Sequence, residues 1–457
     1  MENPHCLTAR KMQTKCKTDI MRTVFIYLSS MLMIFVLASA PAFAEKIPNE
    51  KLIEAFKQNP YRAAAGHNAY EAPAEVIDTP APMGYKPFYV SHFGRHGSRF
   101  QGSESVYSEV CQILDKLHEA GLLSACGDTL RAELQQMWDA HKNQMEGMLT
   151  LKGGQEHKGI AQRLCERVPA VFKQKSRAKI SCTSTVVPRC IESMGYFAME
   201  VQSFNPSLDI TMDVGFKILD YQEEIALAPD PKEIRKHSGP AEQAMLQEAG
   251  TMPTLAARLL TSPEEARRLV PDEDLGKFLF NMFKAAAGAG CLDQKFDPLR
   301  FFTPEELLVC NKIRNIHFCS SYGCFGPTRD IAVRHSYPYA LLIIKEAEEA
   351  IAGNERCADL RFAHDKQVGP TLSLLDLENY NVYTPIDQSH NYLAAWKYLS
   401  MGTNLQMIFY RNAKGDVLVK FLCNERESHI PSLSAVNEYY YKWTDVREHI
   451  LRRIGNR

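Results

Sequence analysis

The sequence lacks a surplus of either charge: 53 Lys and Arg stand against 54 Asp and Glu in 457 residues. A balanced chain has no broad basic face for nucleic acid, so an anionic ligand must meet a few placed cations instead of a general field. Cys-x-x-Cys pairs are absent, and a zinc site is not indicated. Internal repeats, low-complexity tracts and an obvious interdomain linker are missing too. Long apolar runs are scarce. Only Val24 to Ala40 is uninterrupted, it falls short of the roughly 20 residues that a confident membrane span wants, and nothing after it could cross a bilayer.

What is present begins with that run. Arg22 precedes it and Pro41-Ala42-Phe43-Ala44 follows it, the three parts of a secretory leader, with Met21 an equally good start. No cysteine sits at the cleavage point, so a lipoprotein is not expected, and residues 45–457 are expected as a soluble protein of the periplasm or the exterior, without a stable membrane anchor. Beyond Ala44 there are 48 Lys and Arg, 52 Asp and Glu, and eleven of the thirteen cysteines. Disulfides persist outside the cytoplasm, so several cysteines are expected to pair. Cys319 with Cys324 and Cys182 with Cys190 are close enough for local bridges. The length exceeds one ordinary core and implies a large domain with an insertion, or two domains.

Lys86 to Ser91 reads as a strand, with Phe88, Tyr89 and Val90 bounded by Pro87 and Gly94. Val106, Val110, Ile113, Leu114 and Leu117 fall at helical spacing, ended by Gly121. Thr150 to Val168 is helical, Ala178 to Thr183 a strand, and Val187 to Phe204 a helix with Pro188 in its first turn. From Phe216 to Arg300 there is no strand alternation, and the composition is that of helices. Tyr337 to Ile351 is helical, Leu360 to Ala363 a strand, and a further helix starts at Val368. Gln406 to Tyr410 and Val417 to Leu422 pair through Asn412-Ala413-Lys414-Gly415. The fold class is α/β: a mixed sheet flanked by helices, in three stretches (45–125, 151–215 and 310–457), with cap segments at 126–150 and 216–309, the second mostly helical.

The densest chemistry is Arg95-His96-Gly97-Ser98-Arg99, directly after a strand. Guanidinium forks match phosphate oxygens bidentately, and two such cations lower the pKa of the imidazole between them and leave it an unprotonated nucleophile. Ser184-Thr185-x-x-x-Arg189-x-x-x-Ser193 leaves the second strand and opens a helix, whose N-terminus suits an anion. His364-Asp365 again follows a strand. Ligands of open α/β sheets bind beyond the carboxyl ends of the strands, so the three segments can converge on one pocket. Gly288-Ala289-Gly290 lacks the lysine and hydroxyl of a phosphate cradle.

Arg-His-Gly-x-Arg resembles the signature of the histidine acid phosphatases, the branch of the histidine phosphatase superfamily that includes phytases and multiple inositol-polyphosphate phosphatases. The resemblance implies the phosphoglycerate-mutase-like fold, a phosphohistidine on His96, phosphate binding by Arg95, Arg99, Arg189 and His364, and protonation of the leaving oxygen by Asp365. It implies no cofactor and no metal. Leu149-Thr150-x-x-Gly153-Gly154-Gln155-Glu156-His157 resembles a family stretch that is mostly structural, with His157 expected on a helix surface. Val419-Lys420 and Asn424-Glu425 resemble an ending of the inositol-polyphosphate enzymes. Those enzymes usually carry His-Ala-Glu where this chain has His364-Asp365-Lys366, so the donor is assigned on the pattern of the broader family. Phytases often follow the first motif with Ala-Pro-Thr-Lys; Phe100-Gln101-Gly102-Ser103 supplies no such lysine. The expected ligand is a small phosphate ester: phytate, a smaller monoester such as a sugar phosphate, or, for a protein without catalysis, a phosphorylated molecule bound and left intact.

Overall fold

The computed structural model describes residues 46–142, 145–173, 178–215, 230–250, 252–322, 328–380 and 385–455. The leader segment, Cys324 and the first part of the expected helical cap lie outside them. Eight strands form one sheet: β1 (Lys86–Arg95), β2 (Lys179–Ser184), β3 (Asp209–Val214), β4 (Arg356–Ala363), β5 (Asn404–Arg411), β6 (Val417–Cys423), β7 (Arg426–Ser428) and β8 (Tyr440–Lys442). The order is β3-β2-β4-β1-β5-β6-β7, with β8 also on β6. From β3 to β1 all pairs are parallel, and from β1 onward all are antiparallel.

Strand β1 runs four residues beyond the expected Ser91, because His92, Phe93 and Gly94 are paired on both sides, to β4 and to β5. A strand paired on both edges and covered on both faces tolerates a glycine that would end an exposed one. On one face Tyr89, Phe93, Leu405, Met407 and Phe409 join one apolar cluster; on the other Val90, Leu360, Phe362, Ile408 and Tyr410 join a second. The alternation is the period of two that a pleated strand imposes.

The longer α-helices among the described residues, in chain order, are α1 (Asn49–Gln58), α2 (Ser105–Glu119), α3 (Ala125–His141), α4 (Leu151–Arg167), α5 (Pro188–Phe204), α6 (Pro231–Ala249), α7 (Pro253–Leu259), α8 (Leu275–Ala287), α9 (Pro304–Ser321), α10 (Tyr337–Ile351), α11 (Asp365–Leu374) and α12 (Trp443–Gly455). Ile160 and Leu164 of α4 and Phe197 and Val201 of α5 pack in one of the sheet's two clusters, and α10, α11 and α12 pack in the other. Leu52, Leu114, Leu134, Leu255, Phe283 and Leu307, from α1, α2, α3, α7, α8 and α9, share a third core apart from the sheet. Helix α3 begins where Ser124 Oγ accepts the Gly127 amide. The β5–β6 hairpin turns as its sequence implies, with Gly415 at φ 90°.

The expected Cys182–Cys190 bridge is not formed; both are thiols. Cys182 sits among apolar side chains on the α4–α5 face, whereas Cys190 Sγ contacts the Ala363 carbonyl at 3.3 Å. One cysteine belongs to the core and the other to the edge of the sheet. His157 also departs from expectation. It is wholly buried, with its ring 5.6 Å from that of Phe362, because α4 turns that face to the sheet.

Candidate active site

The parallel register brings the three motifs to one level. Arg95 pairs with Ala363 and Ser184 with Phe362, the His96 amide donates to the Ala363 carbonyl at 3.0 Å, and the Thr185 amide donates to the Phe362 carbonyl at 3.2 Å. His96, Arg189, His364 and Asp365 therefore meet beyond the carboxyl ends of β1, β2 and β4.

The turn carrying His96 rests on helix α4 backbone to backbone. A Cβ on Gly97 would lie 2.4 Å from the Gly153 carbonyl oxygen, and one on Gly153 would lie 2.2 Å from that of Ser98. Both positions need glycine for this close approach. Ser193 fastens the turn from the other side: its hydroxyl accepts the Gly97 amide at 3.1 Å and donates to the Arg189 carbonyl at 2.7 Å.

His96 is buried, and its Nδ1 lies 2.9 Å from the Gly97 carbonyl. A carbonyl only accepts, so the proton is on Nδ1 and the lone pair on Nε2. Burial, then Arg95, His364, Arg189 and Arg99, holds the imidazole well below its ordinary pKa, which favours its neutral form. The same reasoning fixes His364. Arg189 Nη2 is 3.3 Å from its Nδ1 and only donates, so Nε2–H donates to Thr185 Oγ1 at 3.3 Å. Burial and Arg189 lower this ring to about 3.

The arginines differ in their commitments. Arg95 is fully buried: Nη1 donates to the carbonyls of Gly66 and Leu399 at 2.6 and 2.7 Å, and Nη2 pairs with Asp365 Oδ2 at 2.7 Å. The Gly66 carbonyl is aimed there by Ala65, which takes φ 54°, a conformation costly for a residue with a Cβ and found where structure around it insists. Arg95 thus commits Nη1 to backbone carbonyls and Nη2 to the Asp365 ion pair, and among the described residues its Nε has no acceptor. Arg99 gives one bond to the Phe100 carbonyl and Arg189 a long one to the Gly147 carbonyl; Nε of each is buried and unpartnered. Among the described residues neither meets a carboxylate at ion-pair distance. Burial, then Arg95 and Arg189, lowers Arg99 to about 10. Burial would raise the Asp365 carboxyl, but Arg95, His364 and Arg99 outweigh it and hold it below the usual range.

His92 and His96 have a spacing that serves zinc on a helix. Here it lies on a strand, and His92 points into the layer beneath, its ring 4.8 Å from that of Phe197.

No family model and no curated protein matches the sequence. Solved structures do. The multiple inositol polyphosphate phosphatase of Bifidobacterium longum, in complex with inositol hexasulfate, superposes with a TM-score of 0.69 at 16% identity, over 85% of this chain and 97% of its own. A phytase of D. castellii gives 0.62 at 15% identity, over 87% of this chain and 86% of its own. This is the histidine acid phosphatase fold. The phytase of Klebsiella sp ASR1 shares it more distantly, at a TM-score of 0.52 and 13% identity over 83% of this chain and 97% of its own. At such identities the kinship is one of fold, and the chemistry rests on the residues.

Arg95, His96, Arg99, Arg189, His364 and Asp365 lie close together here. Sequence reasoning missed Ser193 and Glu156 as the clamps of the turn that carries His96, although both stood in stretches it singled out.

Proposed function

We propose that the protein hydrolyses phosphate monoesters through a phosphohistidine on His96, with inositol polyphosphates such as phytate as substrate class, and that it acts outside the cytoplasm after loss of its leader. One observation carries the reading: a buried His96, with its Nδ1–H held by the Gly97 carbonyl, lies among the guanidinium groups of Arg95, Arg99 and Arg189, and of these only Arg95 meets a carboxylate among the described residues. Such groups favour a phosphoryl group and the charge that develops on it.

The phosphate meets Arg99 and Arg189, the Nε–H of Arg95, and His364. Nε2 of His96 attacks phosphorus, the bond to the ester oxygen breaks, and Asp365 gives its proton to that oxygen. The Gly97 carbonyl holds the Nδ1–H and steadies the imidazolium-like adduct. Asp365 then takes a proton from water, whose oxygen displaces Nε2 and releases phosphate. A positioned acid contributes about 10²–10⁴-fold. Because Arg95 keeps Asp365 ionised at rest, the donor form is populated only in acid, or when the charge of the bound phosphate lifts its pKa; an acidic optimum follows. The guanidinium groups supply the positive charge that a metal ion supplies in other phosphatases.

The test is turnover of phytate, a sugar phosphate and an aryl phosphate by residues 45–457 near pH 5, with chelator, beside His96→Ala. Acid-labile label trapped on His96 and turnover that survives the chelator are expected. Binding of phosphate with no turnover of any ester would leave a binding protein. A preference for the sugar phosphate would leave the mechanism and replace the substrate.

A further inference from the structure

We propose that Glu156 is a positioning residue for the nucleophile turn, holding His96 and Arg99 in register for transfer. The inference rests on the reading just given, that His96 attacks phosphorus. Ser98 stands between the two functional residues and is fully buried. All three of its polar backbone and side-chain groups are committed to the first turns of α4. Its amide donates to Glu156 Oε2 at 2.7 Å, and its hydroxyl donates to Glu156 Oε1 at 2.6 Å. Its carbonyl accepts from the Thr150 amide and hydroxyl, each at 3.0 Å. Glu156 Oε1 also accepts the Tyr70 amide at 3.0 Å.

A carboxylate alone does this work. Three donors converge on it and it has only acceptors to offer. A glutamine has one acceptor oxygen, and its amide N–H groups would face the amide or the hydroxyl of Ser98. Burial pushes the Glu156 carboxyl up, and the hydrogen bonds from Ser98 and Tyr70 offset this only in part; its role rests on geometry, since the Ser98 and Tyr70 amides only donate and each meets one of its oxygens. The turn cannot be tightened by side-chain packing, because Gly97 and Gly153 touch through backbone. The Glu156 clamp and the Ser193 hydroxyl hold it instead.

Glu156 does not touch substrate in this scheme; it acts through Ser98. Near-attack geometry is sensitive, and a displacement of about 1 Å can cost about 10²-fold in rate. Glu156→Gln is therefore expected to slow formation of the phosphoenzyme about 10- to 100-fold, with the affinity for inorganic phosphate changed by less than about threefold. The burst amplitude per mole of protein should equal that of wild type. A merely structural role gives the opposite pattern, a smaller burst amplitude with the rate per active site unchanged, and that would overturn the proposal. Ser98→Ala, which deletes one donor and keeps the fold's backbone, guards against a variant that does not fold. It is expected to slow the burst less, and the double variant to be no slower than Glu156→Gln alone; a slowing that multiplies the two single effects would also overturn it. Wild-type protein that turns over no phosphate ester would instead sink the function proposed above, and this inference with it.

Discussion

Two clusters of buried charge lie on the same edge of the sheet. At the end of β6, Glu425 receives Arg163 at 2.7 Å and the Tyr70 hydroxyl at 2.7 Å, and Lys420 is met by Asp78 at 2.7 Å and Glu427 at 2.9 Å. At the ends of β1 and β4, Arg99 and Arg189 meet no carboxylate among the described residues, and Asp365 pairs with Arg95 while accepting the Lys366 amide at 2.9 Å. A buried ion is costly unless it is matched. The first cluster is matched within the chain and ties the segment around Tyr70 and Asp78 to α4 and β6; the second has no such match among the described residues. Paired charge is architecture here, and unpaired charge marks the candidate site.

Substitutions break the comparison in opposite ways. Asp365→Asn keeps the shape of the site and removes the proton; kcat is expected to fall about 10²–10⁴-fold, roughly 3–5 kcal/mol, and the melting temperature falls too, because buried Arg95 loses its carboxylate. Equal turnover by the variant would remove Asp365 from the mechanism. Glu425→Ala orphans Arg163 and is expected to cost about 3–5 kcal/mol of folding stability in denaturant titration, while kcat per folded molecule holds. Arg189→Met should do the reverse. It loses a charge-assisted contact worth about 1.5–3 kcal/mol, so the affinity for inorganic phosphate falls roughly 10- to 100-fold, and thermal stability holds or rises as an unmatched buried cation is removed.

The smallest effect concerns His157, whose ring burial lowers to about 4. Folded, it binds a proton less readily than when unfolded, so it costs nothing near neutrality and destabilises as pH falls through about 6.5 toward 4. His157→Leu should flatten that decline by about 1–2 kcal/mol at pH 5, read from melts at several pH values. An unchanged slope would place the acid sensitivity in other buried histidines.

The motif residues were legible because each is a polar or basic group just after an apolar strand, a pattern visible without coordinates. Strands β1, β2, β4, β5 and β6 were visible for the same reason. Strand β3 was not: Asp209-Ile210-Thr211-Met212-Asp213-Val214 is an edge strand with most residues exposed, so its alternation reports no buried face. Helix α3 was read only as part of a cap segment, with no element assigned; its buried Leu130, Leu134 and Met137 face other helices that the sequence does not place. Glu156 stood in a stretch read as mostly structural, with no role of its own. Only the fold puts Ser98 opposite it. The unformed Cys182–Cys190 bridge shows the limit of spacing: eight residues span a strand end and a helix start, and the two side chains leave on different sides.

Strand β1 ends at Arg95, yet its hydrogen-bonded neighbour β4 begins only at Arg356. Closing so long a loop makes this pairing a late and slow event in folding. On the proposed mechanism, a nascent chain presents His96 early and acquires Asp365 only when nearly finished. Fragments truncated before His364 would then be inert, and phosphoryl transfer would wait for the whole protein.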